Sequence, residues 1–238
     1  MKCKNCNTEV SQNYCPNCGQ PIVLKRVDGK YILHELGQIL NFERGILFTI
    51  KELLIRPGES IRSFILENRN RLVKPIVFII VTSLIYSLII RFFHIEDEYV
   101  NFFEEKQSTI GVIFTWVQNN YGYANIIVGI FIAFWTKLFF RKYDYNFFEI
   151  LILLSFVIGI GMLIYSVFTL FLAITHIDLM QFAGIIGSVY SAWAIAQFFD
   201  KSKFSNYIKA FFAYLLGIMS SSIAAILIGA LIDLIIKR

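Results

Sequence analysis

The sequence predicts an all-α integral membrane helix bundle of about five transmembrane helices. A small N-terminal four-cysteine zinc ribbon and cytoplasmic amphipathic helices precede the bundle. Three observations carry this expectation. Of 238 residues, 57% are hydrophobic and only 16% are charged, with a mean hydropathy of +0.63. A soluble domain carries about a quarter charged residues, so too little polar surface is left to cover a water-soluble globule. Five long apolar stretches follow residue 75, and all four cysteines fall within the first 18 residues.

The ribbon comes first in the chain. Cys3-Lys4-Asn5-Cys6 and Cys15-Pro16-Asn17-Cys18 are two C-x2-C pairs separated by eight residues. Zinc takes four thiolates in a tetrahedron, and each C-x2-C turn delivers two of them from one tight knuckle. Cys3, Cys6, Cys15 and Cys18 are therefore the candidate ligands of a structural Zn2+. Gly19 gives the second knuckle backbone freedom, Pro16 stiffens it, and Tyr14 and Val10 are expected to pack across the module. Some 20 residues cannot build a core, so the metal would supply the folding free energy. With four thiolates no position stays open for a catalytic water, and the βαβ setting of a redox C-x2-C is absent. Only Lys2 and Lys4 lie near the knuckles, which argues against nucleic acid as a partner. The polar start MKCKNCNTEV lacks the apolar core of a signal peptide. The N-terminus is expected to stay in the reducing cytoplasm.

Three segments are expected: the ribbon at 1–24, a cytoplasmic amphipathic stretch at 25–75, and the bundle at 76–238. In the middle segment Leu33, Leu36, Leu40, Ile46, Leu47, Ile50, Leu53 and Leu54 recur near helical spacing until Pro57-Gly58 interrupts them. Ile61, Phe64, Ile65 and Leu72 mark a second helix. The pattern suits helices lying at the headgroup level or packed on the cytoplasmic end of the bundle, and the two are compatible. Arg62, Arg69, Arg71 and Lys74 are the expected membrane-surface anchor, in contact with anionic lipid.

The spans are expected at about 76–93, 121–140, 147–175, 181–199 and 207–236. Aromatic residues suit them: 24 Phe and 12 Tyr fit lipid-facing and interfacial positions. The basic segment before the first span and Arg141 and Lys142 place those loops inside, as do Lys201, Lys203 and Lys209. The loop with Glu96, Asp97, Glu98, Glu104 and Glu105 against Lys106 falls outside. Five spans leave Lys237 and Arg238 outside, against the rule. A re-entrant fold at Ser220-Ser221-Ser222 or a non-spanning fourth segment would restore it, but some 30 residues cannot cross twice. Five spans with a cytoplasmic N-terminus, in the cytoplasmic (inner) membrane of a bacterium, is the expectation.

Ionisable residues in spans are functional candidates, and few exist here. Lys137, one turn from Arg141, is placed to snorkel to the cytoplasmic surface. Asp144 and Glu149 open the third span, within reach of Lys137 or Arg141. His94, His176 and Asp178 lie at the outer boundary, and Asp233 near the end of the last span. No H-E-x-x-H, G-x-S-x-G or P-loop pattern occurs, so no enzyme is expected. Gly159-Ile160-Gly161 is the candidate for a helix break. Gly184, Gly187, Ser188 and Ser191 form a candidate helix-packing face.

The ribbon ending Tyr14-Cys15-Pro16-Asn17-Cys18-Gly19-Gln20, the RPGESIRSFI stretch (Arg56–Ile65) and NRNRLVKPIVFIIVTSLIYSLI (Asn68–Ile89) together resemble a bacterial family. Its members are zinc-ribbon multi-pass membrane proteins, known only as a domain of unknown function. The resemblance covers about the first 90 residues and implies a zinc ribbon and a membrane location, without an activity. At the level of plan alone, the chain is similar to Yip-type proteins, which have a cytoplasmic N-terminus, five spans and roles in membrane organisation. The leading expectation is a non-enzymatic scaffold or adaptor whose ribbon contacts a cytoplasmic protein partner, with the lipid bilayer around its spans. The alternative is a transporter or channel subunit for a lipid or small molecule.

Overall fold

The computed structural model describes residues 2, 3, 6, 8, 9, 14–18, 45–93, 95 and 109–236. The chain divides into two compact units, Met1–Asn41 and Phe42–Arg238. The described part of the second is helical apart from short connections. Its helices are α1 (Ile46–Ile55), α2 (Pro57–Leu66), α3 (Pro75–Phe93), α4 (Thr109–Asn119), α5 (Tyr121–Phe139), α6 (Phe147–Thr175), α7 (Met180–Asp200) and α8 (Phe204–Ile236). Among the described residues, α3, α5, α6, α7 and α8 are the five long and apolar enough to cross a membrane. At 1.5 Å per residue, the 19 residues of α3 and α5 reach about 28 Å, close to the bilayer's hydrocarbon thickness. The expected spans match these helices to within three residues at either end.

Short connections at 176–179 and 201–203 make α6, α7 and α8 successive antiparallel neighbours. We call the end that carries Phe147 and Asp200 the proximal end. α6 is the central helix, packed on α3, α5 and α7, while α8 lies against α5 and α7. Small and hydroxyl residues set these contacts, because lipid tails give apolar side chains no reason to prefer one another. A Cβ on Gly159 would lie 2.6 Å from the Phe78 ring, so Gly159 is a site of close helix approach. The expected break there does not occur: α6 runs unbroken for 29 residues. Gly184 and Gly187 face the Tyr165 side chain of α6, as a packing face should. Asn125 Nδ2 donates to Ser83 Oγ at 3.0 Å and Trp135 Nε1 to Ser220 Oγ at 3.1 Å, tying α5 to α3 and to α8. α8 is continuous through Ser220-Ser221-Ser222, so no re-entrant turn forms there.

The ionisable residues near the span ends have local duties. Asn146 and Glu149 form a reciprocal capping box on α6: Glu149 N donates to Asn146 Oδ1 (3.0 Å) and Asn146 N to Glu149 Oε2 (2.7 Å). Lys137 Nζ donates to the Tyr145 carbonyl, and no ion pair with Asp144 or Glu149 occurs among the described residues. His176 takes the left-handed conformation (φ 58°) that ends α6, and Asp178 accepts from Met180 N at 2.8 Å. α4 was not expected from the sequence. Its first residue, Thr109, donates its backbone N–H (3.0 Å) and its hydroxyl to Asp233 near the end of α8.

Several expectations fall on residues outside those described. They are the helical pattern of Leu33, Leu36 and Leu40, the acidic loop from His94 to Lys106, and the terminal Lys237 and Arg238.

Candidate metal centre and a buried carboxylate network

In the first unit Lys2 and Glu9 form an antiparallel bridge, and Cys3 N donates to Thr8 O at 2.9 Å. This folds the first knuckle back on itself. Cys15–Cys18 form the second turn. The pairs interleave: Cys3 Sγ lies 3.6 Å from Cys18 Sγ, and Cys6 Sγ lies 3.5 Å from Cys15 Sγ. All four sulfurs fall within 4.8 Å of one another. A tetrahedral ion bonded to sulfur at about 2.3 Å sets sulfur–sulfur edges of about 3.8 Å, so the cluster fits one metal ion. None of the four is in a disulfide. Hydrogen bonds from the Thr8 side chain and then its backbone pull the Cys6 thiol down to about 6, toward the thiolate that metals bind. Cys3 and Cys15 are buried, whereas Cys18 is exposed. Tyr14, expected to pack across the module, is 64% exposed instead. Val10 and Gly19 lie outside the described residues.

The second unit contains a site that the sequence reading missed. Glu52 is the one buried charged residue among those described. It sits on α1 and accepts from Arg56 Nη2 (2.9 Å), from Ser60 Oγ on α2 (2.9 Å) and from Arg71 Nη2 after α2 (2.9 Å). Arg56 also reaches Glu59 at 3.5 Å. Burial pushes the Glu52 carboxyl up, but the hydrogen bonds from Arg56 and Ser60 and the charges of Arg56 and Arg71 outweigh it. The net effect holds Glu52 below its ordinary value. The spacing of Glu52 and Arg56, one turn apart on a helix, was the available signal. The Arg71 contact, 19 residues away, had none.

Around this network α1 and α2 form a plate on the proximal end. Arg56-Pro57 ends α1, and Pro57 starts α2, where a missing N–H costs nothing. Gly58 lies against α7 so closely that a Cβ would stand 2.2 Å from Gln197 O. Arg62 Nη1 donates to Gln197 O and Phe198 O, both at 2.7 Å, closing two carbonyls in the last turn of α7. Tyr190 of α7 donates to Leu53 O at 3.0 Å, and Val73 N to Thr49 Oγ1 at 3.1 Å. Ile61, Phe64 and Ile65 are buried beneath, with Phe64 edge-on to Phe156 of α6 at 5.4 Å.

Of the residues expected to anchor the membrane surface, Arg69 and Lys74 are exposed or half-exposed, while Arg62 and Arg71 are engaged within the protein. Among the described residues of the five spans no Asp, Glu, Lys or Arg is buried.

A family model described as a protein of unknown function (DUF3667) matches residues 43–87. That window takes in α1, α2 and the greater part of α3, hence the whole Glu52 network, and less than half of the chain. No curated protein and no solved structure matches. The part of the chain that is similar to this family is thus the docked plate and most of the first membrane-length helix.

Proposed function

We propose that this chain is a non-enzymatic membrane scaffold or adaptor. A structural Zn2+ on Cys3, Cys6, Cys15 and Cys18 shapes a ribbon that contacts a protein partner on the cytoplasmic side. The five-helix bundle holds that ribbon at the inner membrane of a bacterium. The observation that supports this reading is the closed cluster of four thiolates, which leaves a tetrahedral ion no position for substrate or water. Two further features agree with it. The spans bury no charge among their described residues, and the buried Glu52 is consumed by three donors. A tetrahedral set of four thiolates in a module too small for a core suits structural zinc.

The test is affinity purification from native membranes, with the wild type compared with a Cys15→Ser, Cys18→Ser double variant. A protein recovered with the wild type and lost with the variant, at equal membrane insertion, is the expected result. Identical partner-free profiles would remove the adaptor reading.

A further inference from the structure

An open groove of about 430 Å3 runs between α1, α3 and α6. That volume lies within the range of about 300–1,000 Å3 typical of ligand sites. Ile50 and Leu54 of α1 border it, with Ile85 and Ile89 of α3 and Ile164 and Val167 of α6. Its lining is aliphatic but for Ser166, whose hydroxyl is turned back to Met162 O at 2.7 Å. No polar ligand group would find a partner there.

The position of the groove identifies what fills it. Ile85 and Ile89 lie about 15 and 21 Å along α3, deep within a membrane-length helix. The groove therefore opens sideways into hydrocarbon, while α1, which does not span, bounds it from the proximal side. A chain lying in it would run from α1 toward mid-bilayer. On α1, Lys51 directly follows the groove-lining Ile50 and comes three residues before the groove-lining Leu54. Lys51 is exposed and makes no ion pair among the described residues, whereas its neighbours Arg56 and Arg71 are both taken by Glu52. Leu47 and Ile55 are exposed on the same short helix and continue the apolar surface.

We propose that this groove holds one acyl chain of an anionic phospholipid of the surrounding bilayer, with its headgroup at Lys51. Apolar contact alone gives a chain little preference for protein over lipid, so van der Waals fit and headgroup charge supply the selectivity. A basic residue at the surface contributes about a fivefold preference for an anionic headgroup. The proposal stands apart from the adaptor reading and needs no partner protein.

The test uses the full chain in nanodiscs of equal phosphatidylglycerol and phosphatidylethanolamine, followed by native mass spectrometry. The wild type is expected to retain one phosphatidylglycerol per chain, about fivefold over phosphatidylethanolamine. Ile85→Trp, which fills the groove, is expected to lose the retained lipid. Ile130→Trp, at a lipid-facing position of α5 outside the groove, is expected to keep it. Lys51→Glu, on the surface and harmless to packing, should abolish the preference for phosphatidylglycerol. Equal retention by Ile85→Trp and Ile130→Trp would overturn the proposal. So would a headgroup preference unchanged in Lys51→Glu, no lipid retained by the wild type, or a second copy of the chain in place of the lipid.

Discussion

The cysteine knuckles and the α1–α2 plate solve the same problem by opposite means. Each is a segment too short to build a core of its own. The knuckles gather four sulfurs within 4.8 Å, a spacing that suits one metal ion from outside. The plate gathers Arg56, Ser60 and Arg71 on one carboxylate, and then borrows a core from the bundle through Ile61, Phe64 and Ile65. A metal module answers to solution conditions, whereas a docked plate answers to whatever it is docked on. Removing metal should therefore leave the second unit intact, and weakening the plate should leave metal content intact.

The largest effect that would break this contrast is loss of the ion. Cys15→Ser with Cys18→Ser is expected to take zinc from one ion per chain to none by elemental analysis. Structural zinc of this kind contributes on the order of 10–16 kcal/mol to folding of its module. Thermal unfolding of the helical bundle, followed by circular dichroism in detergent, should not move.

Next comes Glu52→Ala, which strands two guanidinium groups. Breaking a fully buried ion pair costs about 3–5 kcal/mol, and the partial exposure of Arg56 (45%) and Arg71 (31%) lowers this to about 2–3 kcal/mol. The midpoint of thermal unfolding should fall while zinc content stays at one. Acidity probes the same residue. Because the folded carboxyl is held below its ordinary value, its contribution is complete above the unfolded carboxylate's value. It is lost as pH falls through the lower, folded value. Wild type should therefore lose stability between neutral and strongly acidic pH, and Glu52→Gln should show a flatter profile across that window.

Gly58→Ala should cost about 1–3 kcal/mol, because a methyl group cannot share space with the Gln197 carbonyl and α2 must lift from α7. Protease sensitivity between α1 and α3 should rise. The smallest expected effect is that of Arg62→Lys, about 1 kcal/mol. The lysine ammonium must reach the point from which the single nitrogen Nη1 meets both carbonyls, as a stability comparison with wild type would register.

How much of this the sequence disclosed follows from the range of each interaction. The membrane-length helices were legible almost to the residue because hydropathy is a local signal. The four cysteines were legible for the same reason: C-x2-C is a contact between near neighbours. Arg62 and Arg71 were expected to face lipid, since a basic residue before a span ordinarily does. Their true partners, Glu52 at 19 residues and the α7 carbonyls at 135 and 136 residues, leave no trace in periodicity. α4 escaped notice because the second span is expected from residue 121 and Thr109–Asn119 falls in the connection before it, although only Asn120 separates the two helices.

The reach of Arg62 also bears on how the chain is made. Glu52 finds Arg56, Ser60 and Arg71 within a few dozen residues, so the plate can close its own charges soon after synthesis. Its seat on α7 does not exist until four membrane-length helices have been made. Until then the plate lacks that part of its seat, and its apolar face has only α6 and the bilayer surface to lie on. The plate is then expected to rest first on lipid and to dock onto α7 once that helix is made. In chains arrested before residue 180, α2 should therefore rest on anionic lipid, and in full chains it should sit against α7 instead. A site-specific fluorescent label on α2 would report the difference.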